Sequence, residues 1–372
     1  MKTEFFCIIL ALIFQVSQAR YYVRNLGNGT DDEELVLVHT IFRHGNRTPE
    51  SNIYDSNPYG DESYYAPYGY AQLTNEGKRT EFKIGQALKT RYESFLGDEY
   101  NINLIEARST NVNRTKMSML LVLTGLFPPS GDLTWMEGFN WQPIAFNYFE
   151  NDKVLLGRKV CSNYKKAYKK VVKSDEIQEK LKKYTEVFDY LSEQTGQTFK
   201  LTKPKEVADL FVDLLAQQAF GYPIENWTYK YMPEMSRLNI DSYYLLANTT
   251  KLRKLSAGYL VGKFITDTED KIATPTSPVK MYLYSAHEKN IATLLITLGV
   301  FEDVDVPAFG SYIIAEVWKI NGVYGFKFFY QNYNEIDPVV KIIPGCAEFC
   351  PLDDFKNLMS QYIPDDDYCE LK

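Results

Sequence analysis

The chain is poor in the residues that build several common kinds of functional site. Only three histidines occur among its 372 residues, and no His-x-x-x-His or Cys-x-x-Cys pair is present, so no spacing typical of a zinc site occurs. Beyond the N-terminus there is no apolar run long enough to cross a bilayer. The formal net charge of −7 does not favour nonspecific nucleic-acid binding. We therefore expect no metal, no nucleic acid and no membrane among its partners.

The N-terminus has the composition of a secretory signal. Lys2 precedes an apolar run over residues 5–16, and small residues up to Ala19 resemble a cleavage site. The run is too short to span a bilayer. We predict a signal peptide over residues 1–19 and a soluble, secreted product.

Cysteine is scarce, and in a secreted protein its few cysteines are expected to form disulfides. Five cysteines become four when Cys7 leaves with the signal, and an even number in an oxidising compartment favours two disulfides among three connectivities. Cys346 and Cys350 are near enough in sequence to close a local loop. That leaves Cys161 to pair with Cys369.

Five Asn-x-Ser/Thr sequons are present, and they differ in where we expect them to lie. Asn46 and Asn113 fall in segments that we assign below to the functional site, so we predict that they carry no glycan. The predicted glycosylation sites are Asn28, Asn226 and Asn248.

The most informative segment follows an apolar run over residues 35–42, which is typical of a strand buried on both faces. Residues 43–49 read Arg-His-Gly-Asn-Arg-Thr-Pro and place His44 between Arg43 and Arg47. Arginine binds phosphate oxygens bidentately and stays charged at ordinary pH. The glycine would let the backbone approach an anion. A histidine between two such cations is suited to attack on phosphorus.

Two further segments place polar side chains after predicted strands. His287 and Glu288 follow a strand predicted over residues 281–286 and open a helix. Arg114 lies at the start of another helix, after a short strand predicted at 105–110. A cation there is unfavourable unless an anion lies beside it, so Arg114 also indicates an anion site. Ligands of open α/β sheets bind beyond the carboxyl ends of the strands, where all three segments are expected.

The pattern Arg-His-Gly-x-Arg-x-Pro of residues 43–49 resembles the signature of the histidine acid phosphatases, which are branch 2 of the histidine phosphatase superfamily. Other segments are similar to the family too: Leu73-Thr74 with Gly77, Arg114 to Ser118, and Trp141 to Ile144. The resemblance covers most of the chain, and within the family it is most similar to the insect venom acid phosphatases. It also implies the two disulfides given above.

The resemblance implies a phosphatase that needs no cofactor and no metal. His44 would be the nucleophile and would form a phosphohistidine. Four side chains would bind the phosphate group: Arg43, Arg47, Arg114 and His287. Glu288 would protonate the leaving group, which requires a protonated carboxyl and favours acid pH. Many members have His-Asp where this chain has His287-Glu288, which changes the reach of the predicted acid.

Strand–helix alternation at both ends of the chain, with a helical Lys/Glu-rich middle, predicts an α/β fold. We expect a doubly wound, mostly parallel sheet with flanking helices, formed by residues 20–150 and 261–372, and a smaller helical insert or cap formed by residues 151–260. His39 lies mid-strand and is predicted to belong to the core. The lysines between 165 and 173 predict a solvated helix face, the alternative being a basic rim that attracts anionic substrates.

We therefore predict a secreted acid phosphatase, and by resemblance a venom glycoprotein, that acts on small phosphate monoesters. Two alternatives remain at this point. One is a phytase-like enzyme for inositol phosphates, and the other is a secreted phospholigand-binding protein or allergen with little turnover. Members of the family are often dimers, so we expect a homodimer. No residue pattern identifies the natural substrate.

Overall fold

A mixed β-sheet lies at the centre of the molecule. The computed structural model describes residues 33–302, 304–333 and 337–371, so the predicted signal peptide and Asn28 lie outside the described residues. The strands, in chain order, are β1 Glu33–Arg43, β2 Ile105–Ser109, β3 Asn147–Tyr148, β4 Met281–Ala286, β5 Tyr312–Ile320, β6 Val323–Gln331, β7 Val339–Lys341 and β8 Cys350–Pro351. Their order in the sheet is β3-β2-β4-β1-β5-β6-β7, with β8 beside β6.

The parallel part of the sheet sets the position of the loops that follow it. Strands β3, β2, β4 and β1 run parallel, and Arg43 at the end of β1 pairs with Ala286 at the end of β4. Beyond β1 the neighbouring strands are antiparallel. Since parallel strands end at the same edge, the segments after β1, β2 and β4 meet there.

Helices flank the sheet and fill the chain between β3 and β4. In chain order they are α1 Asn75–Leu96, α2 Asn113–Leu126, α3 Lys153–Val160, α4 Ser162–Val172, α5 Asp175–Leu181, α6 Thr185–Thr195, α7 Pro204–Phe220, α8 Met232–Leu246, α9 Thr250–Arg253, α10 Tyr259–Ala273, α11 Glu288–Leu298 and α12 Leu352–Met359. A single π-helical turn, Lys254–Gly258, joins α9 to α10. None of the helices in the described part of the chain is long and apolar enough to cross a membrane.

Strand β1 is covered on both faces. Leu37 and Ile41 pack in a buried cluster with side chains of α8, α10 and α11, whereas Val38 and Phe42 pack with side chains of α1 and α2 on the other face. Burial on both faces explains the nearly continuous apolar run of this strand. The α/β class, with a mostly parallel central sheet and flanking helices, is therefore confirmed.

Within the helical segment, residues 151–260, helices α4 to α8 share an apolar cluster of their own. Its centre includes Phe188, Leu191, Phe211 and Leu238, each at most 5 % exposed. Tyr54, from the loop after β1, is buried in the same cluster. The loop after β1, which begins with the motif at residues 43–49, thus packs against the helical segment. The division of the chain into a core and an insert stays a prediction.

Two disulfides connect distant and local parts of the chain. Cys161, between α3 and α4, is joined to Cys369 near the end of the described chain. Cys346 is joined to Cys350 at the start of β8. These are the two pairs expected from the sequence, and the first holds the C-terminal segment to the start of α4.

Candidate active site

The segments that follow β1, β2 and β4 are joined by backbone hydrogen bonds. The N–H of His44 donates to the carbonyl of Ala286 at 3.1 Å, and the N–H of Thr110 donates to the carbonyl of Ser285 at 3.1 Å. The six predicted site residues all lie at this edge and are at most 9 % exposed: Arg43, His44, Arg47, Arg114, His287 and Glu288. The fold therefore brings together every side chain that the sequence analysis selected for the site.

Both ring nitrogens of His44 have partners, which defines its tautomer. Nδ1 lies 2.9 Å from the carbonyl oxygen of Gly45, and a carbonyl only accepts, so Nδ1 carries the proton. Nε2 keeps its lone pair, to which the Nε–H of Arg114 donates at 3.1 Å. The nucleophilic nitrogen of the neutral ring therefore faces Arg114.

The neutral form of His44 is strongly favoured. Burial lowers its pKa well below the usual value, and the cations of Arg114 and Arg43 lower it further. An imidazole in this environment keeps its lone pair in acid, where most histidines are protonated. The pocket thus holds a neutral imidazole at acid pH, with a lone pair on Nε2.

The guanidinium of Arg43 is held by two contacts, but its Nε–H has no hydrogen-bond acceptor among the described residues. Its guanidinium donates to the carbonyl of Pro307 and lies 3.9 Å from the centre of the Phe309 ring. Its Nε is 3.7 Å from Oε2 of Glu288 and has no hydrogen-bond partner among the described residues. A buried N–H donor in this position can bind an anion.

Arg47 and Arg114 are each paired with a carboxylate. Nη1 of Arg47 donates to Oδ1 of Asp213 at 2.9 Å, and Asp213 is buried in α7. Nη2 of Arg114 donates to Oε1 of Glu50 at 2.7 Å, and the side chain of Glu50 is 45 % exposed. Asp213 therefore fixes its arginine, whereas Glu50 supplies the anion expected beside a cation at the start of α2 and can be displaced into solvent.

Hydroxyl groups orient His287. The hydroxyl of Thr115 donates to the carbonyl of Thr110 or Val112, so it accepts the hydroxyl proton of Thr110 across 2.8 Å. Oγ1 of Thr110 is then left to accept from Nε2–H of His287 at 3.0 Å. Burial lowers the pKa of His287 well below its usual value, and Arg114 lowers it further. The ring is therefore neutral, with its proton on Nε2.

Glu288 begins α11 and lies beside two cations. Its Oε2 is 3.7 Å from Nε of Arg43, and its Oε1 is 3.7 Å from Nζ of Lys289. Burial opposes ionisation, but Lys289 and Arg43 outweigh it and lower the pKa of Glu288 well below its usual value. The carboxyl of Glu288 thus favours the ionised form, whereas we expected a protonated acid, because these neighbouring cations are not apparent in the sequence.

Packing against α1 explains the glycine of the motif. A Cβ on Gly45 would lie 2.4 Å from the carbonyl oxygen of Gly77, and a Cβ on Gly77 would lie 2.2 Å from that of Asn46. Thr74 caps α1 by accepting from the N–H of Gly77, and its own N–H donates to the carbonyl of Asn46 at 2.9 Å. Gly45 is thus required for contact with a helix, whereas we had assigned it to contact with an anion.

A cavity of about 630 Å³ opens beside these residues. Arg47, Arg114, His287 and Glu288 form part of its wall, and α3, α4 and α7 supply the opposite wall. Such a volume is in the range of small-molecule binding sites. The helical segment therefore borders whatever part of a substrate extends beyond the phosphate site.

His44, His287 and Glu288 each place one potential metal-ligand atom within 4.8 Å of the others. The sequence had no metal-binding spacing, so this convergence comes from the fold alone. Arg43 and Lys289 lie beside the carboxylate and disfavour a divalent cation at the same place. The arrangement is better suited to an anion.

Sequence reasoning missed several residues that complete the site: Glu50, Thr110, Asp213, Lys289, Pro307 and Phe309. Asp213 lies 166 residues after Arg47 on a helix whose pattern indicated only amphipathicity. Thr110 was placed within a predicted strand. Neither position had a local signal, because its role depends on which segments the fold brings together.

The chain is similar to known phosphatases over most of its length. The family model described as histidine phosphatase superfamily (branch 2) matches residues 34–343. The chain is 33 % identical over 338 residues to venom acid phosphatase Acph-1 of Apis mellifera, covering 89 % of this chain and 86 % of that protein. It is 28 % identical over 345 residues to prostatic acid phosphatase of Homo sapiens, covering 90 % and 87 %. The resemblance predicted from the sequence is confirmed.

Solved structures of the same architecture include phytases. The apo form of Hafnia alvei phytase has a TM-score of 0.68 at 17 % identity, covering 93 % of this chain and 100 % of that one. Klebsiella sp. ASR1 phytase has a TM-score of 0.67 at 15 % identity, covering 92 % and 100 %. At these identities the likeness shows the fold alone.

Proposed function

Since this chain belongs to the histidine phosphatase superfamily (branch 2) and is an acid phosphatase, we propose that it hydrolyses small phosphate monoesters through a phosphohistidine intermediate, without a metal ion. The observation that carries the proposal is the state of His44. It is neutral and buried, and the lone pair of its Nε2 faces Arg114 beside two further arginines.

In the first step, the phosphate group displaces the carboxylate of Glu50 from Arg114. The Nε–H of Arg114 then passes from Nε2 of His44 to a phosphate oxygen, which frees the lone pair of Nε2. Nε2 of His44 attacks phosphorus while the P–O bond to the leaving group breaks in line. Arg43, Arg47 and Arg114 donate to the non-bridging oxygens and supply the positive charge that a metal ion would provide. Each donor of this kind contributes about 2–4 kcal/mol of transition-state stabilisation.

Glu288 gives the leaving oxygen its proton. The negative charge of a bound phosphate opposes the effect of Lys289 and Arg43, so binding raises the pKa of Glu288 and the carboxyl is protonated at acid pH. The same charge favours a second proton on His287. Its Nε2 keeps the bond to Thr110, and its Nδ1 donates to phosphate.

In the second step, water attacks the phosphorus of the phosphohistidine. The carboxylate of Glu288, deprotonated by the first step, takes a proton from the water. The P–N bond breaks, its electron pair returns to Nε2 of His44, and inorganic phosphate leaves. The cycle restores the neutral imidazole.

The chemistry is tested with p-nitrophenyl phosphate from acid to neutral pH, in buffer that contains EDTA. We expect acid-favoured turnover that EDTA does not reduce and that His44→Ala abolishes. Activity that EDTA removes and added metal restores would contradict the metal-free mechanism. Full activity of His44→Ala would contradict the role of His44.

We also propose that the protein is a secreted glycoprotein, cleaved after Ala19. The two disulfides suit an oxidising compartment, and Asn226 and Asn248 are exposed. Mass spectrometry of the protein from culture medium tests both points. A glycan on Asn46 would contradict the site assignment, and an N-terminus at Met1 would contradict the signal.

The helical segment, residues 151–260, is proposed to act as a cap over the core formed by residues 20–150 and 261–372. Its Asp213 fixes Arg47, and its helices border the cavity. A homodimer, expected from the family, is tested by light scattering.

A further inference from the structure

Three cations in the wall of the active-site cavity have no anionic partner among the described residues. They are Arg158, Lys159 and Lys165. The other cations of the wall are paired with carboxylates: Arg47 with Asp213, Arg114 with Glu50, Lys205 with Asp209, and Lys289 with Asp209 and Glu288. An unpaired group of cations beside a catalytic pocket attracts anions.

The fold presents the first two of these cations from a fixed turn. Arg158 and Lys159 lie in the last turn of α3. A Cβ on Gly157 would lie 2.2 Å from the carbonyl oxygen of Leu255, so this turn is in direct backbone contact with the π-helical turn. Cys161, which follows α3, is held by its disulfide. The position of the two cations is therefore set by the backbone.

The first turn of the same helix, α3, is tied to the helix that carries the proposed acid. The side-chain amide of Asn290, in the first turn of α11, donates to the carbonyl oxygen of Leu155 at 2.7 Å. The charges also affect each other, since burial and then the cations of Arg158 and Arg114 lower the pKa of Lys159. The cations of α3 and the residues of the phosphate site therefore line the same cavity and can contact the same ligand.

Lys165 extends this group from the start of α4. It is exposed and lines the cavity, whereas Lys170 and Lys173 are exposed on the same helix or its end and do not line the cavity. The lysine-rich segment is thus mainly a solvated face, as the sequence predicted, with one member at the substrate cavity.

We propose that Arg158, Lys159 and Lys165 form a second anion-binding site, and that the preferred substrates are small phosphate monoesters that carry a second anionic group, either phosphate or carboxylate. This inference rests on the proposed function, because the scissile phosphate must occupy the arginine site for the second anion to reach these cations. A cavity of about 630 Å³ has room for a molecule of sugar-bisphosphate size.

The test compares matched substrates that differ only in the second anion. Fructose 1,6-bisphosphate is compared with fructose 6-phosphate, and 3-phosphoglycerate with glycerol 3-phosphate, by the ratio of kcat/KM within each pair. Attraction of the phosphate group that both members share cancels in the ratio. The greater long-range attraction of the second anion is measured with a control variant that removes the same charge outside the cavity. The first pair reports on phosphate at the second site, and the second pair reports on carboxylate.

For the wild type we expect a preference of about tenfold for the doubly anionic member of at least one pair, beyond the statistical factor for two phosphates. In Arg158→Gln/Lys159→Gln we expect the two members of each pair to have nearly equal kcat/KM values, apart from the statistical factor for two phosphates. Lys159→Gln alone, which removes one of the three charges, is expected to reduce the ratio by about threefold. Lys170→Gln/Lys173→Gln removes the same charge outside the cavity and should leave the ratio unchanged.

Equal kcat/KM values within both pairs would overturn the second site. So would a preference that persists in the double variant, or one that the Lys170→Gln/Lys173→Gln control loses to the same extent. These results leave hydrolysis of the monophosphates intact and thus differ from failure of the proposed function. A wild type that hydrolyses no phosphate monoester, including p-nitrophenyl phosphate, would overturn both.

Discussion

His39 and His44 lie five residues apart in the chain and are both buried, but their surroundings differ. His39, inside β1, stacks on the ring of Tyr282 with 4.9 Å between ring centres and lies 4.7 Å from the ring of Phe264. Neither of its nitrogens has a hydrogen-bond partner among the described residues. His44, just beyond the strand, has both nitrogens engaged and faces Arg114.

The comparison shows that a low pKa does not by itself identify a catalytic histidine. Burial lowers the pKa of His39 well below its usual value, with a further effect of Lys263, and burial with the arginines does the same for His44. What distinguishes His44 is a set of fixed cations at a cavity where an anion can be held. Chemistry depends on the surroundings of the ring and not on its protonation state alone.

The largest expected difference is in turnover. His44→Ala should lose on the order of 10⁴-fold or more in kcat on p-nitrophenyl phosphate, because no other group can form the covalent intermediate. His39→Phe, which keeps an aromatic ring in the aromatic cluster, should keep kcat within about threefold. A large loss of kcat in a folded His39→Phe protein would show that the two histidines are not functionally distinct.

The cations that distinguish the two sites are tested next. Arg114→Ala should lower kcat/KM by on the order of 10²–10³-fold, since it removes a donor to the transferring phosphoryl group. The exposed Arg79, paired with Glu76 on α1, provides a control. Arg79→Ala should leave kcat/KM unchanged, and equal losses in both variants would contradict a local role for Arg114.

A third test concerns the proton donor beside His44. Glu288→Gln should reduce kcat on alkyl phosphates by about 10²-fold, because an alkoxide needs a proton to leave. The loss should be several-fold smaller on p-nitrophenyl phosphate, whose leaving group is stable without a proton. Glu288→Asp, which retains a carboxyl, should keep part of the activity on both substrates. A loss independent of the leaving group would contradict proton donation.

The smallest expected effect is on the free energy of unfolding. Here the two histidines are alike, because burial lowers the pKa of both. Native His39 stays neutral, whereas the unfolded chain binds a proton below the ordinary pKa of about 6.5, so this contribution to stability is complete above that pH and is lost as the pH falls. The loss is up to about 1.4 kcal/mol per pH unit. Phenylalanine removes this dependence.

Urea unfolding of wild type and His39→Phe at neutral and at mildly acid pH measures that effect. Two charged groups face the ring in both proteins, so they largely cancel in the difference: Lys263, and Asp267 at 3.8 Å, whose pKa burial raises to about 6. The wild type should lose more stability in acid than the variant, by about 2 kcal/mol at a pH about one and a half units below the ordinary pKa of histidine. Parallel losses would show that His39 is protonated in the native protein.

The features that could be predicted from the sequence are those determined by residues close together in the chain, such as strands, helices and a helix cap. The strand at 281–286 has the bounds that the sequence predicts, and Arg114 lies in the first turn of a helix, as expected. The apolar period and the cap at Thr74 are properties of neighbouring residues, so the sequence contains them directly. The phosphate residues were selected because they follow strands, and parallel strands place their ends at one edge.

The unpredictable part consists of partners from distant segments. The pairing of Arg47 with Asp213 and that of Arg114 with Glu50 depend on how the helical segment and the loop after β1 pack. The ionised state of Glu288 depends in the same way on Arg43 and Lys289. Residue type and spacing suggest a role for a side chain, but its protonation state is set by neighbours that only the fold defines.

The central claim is that His44, and not another residue, carries the phosphoryl group. Rapid acid-free quenching of the wild type during turnover of a radiolabelled phosphate monoester, followed by peptide mapping, tests it most directly. We expect an acid-labile, alkali-stable label on the peptide containing His44, located on that residue by fragmentation and absent from His44→Ala. A label on His39 or on a hydroxyl side chain, or rapid turnover with no labelled enzyme, would contradict the account.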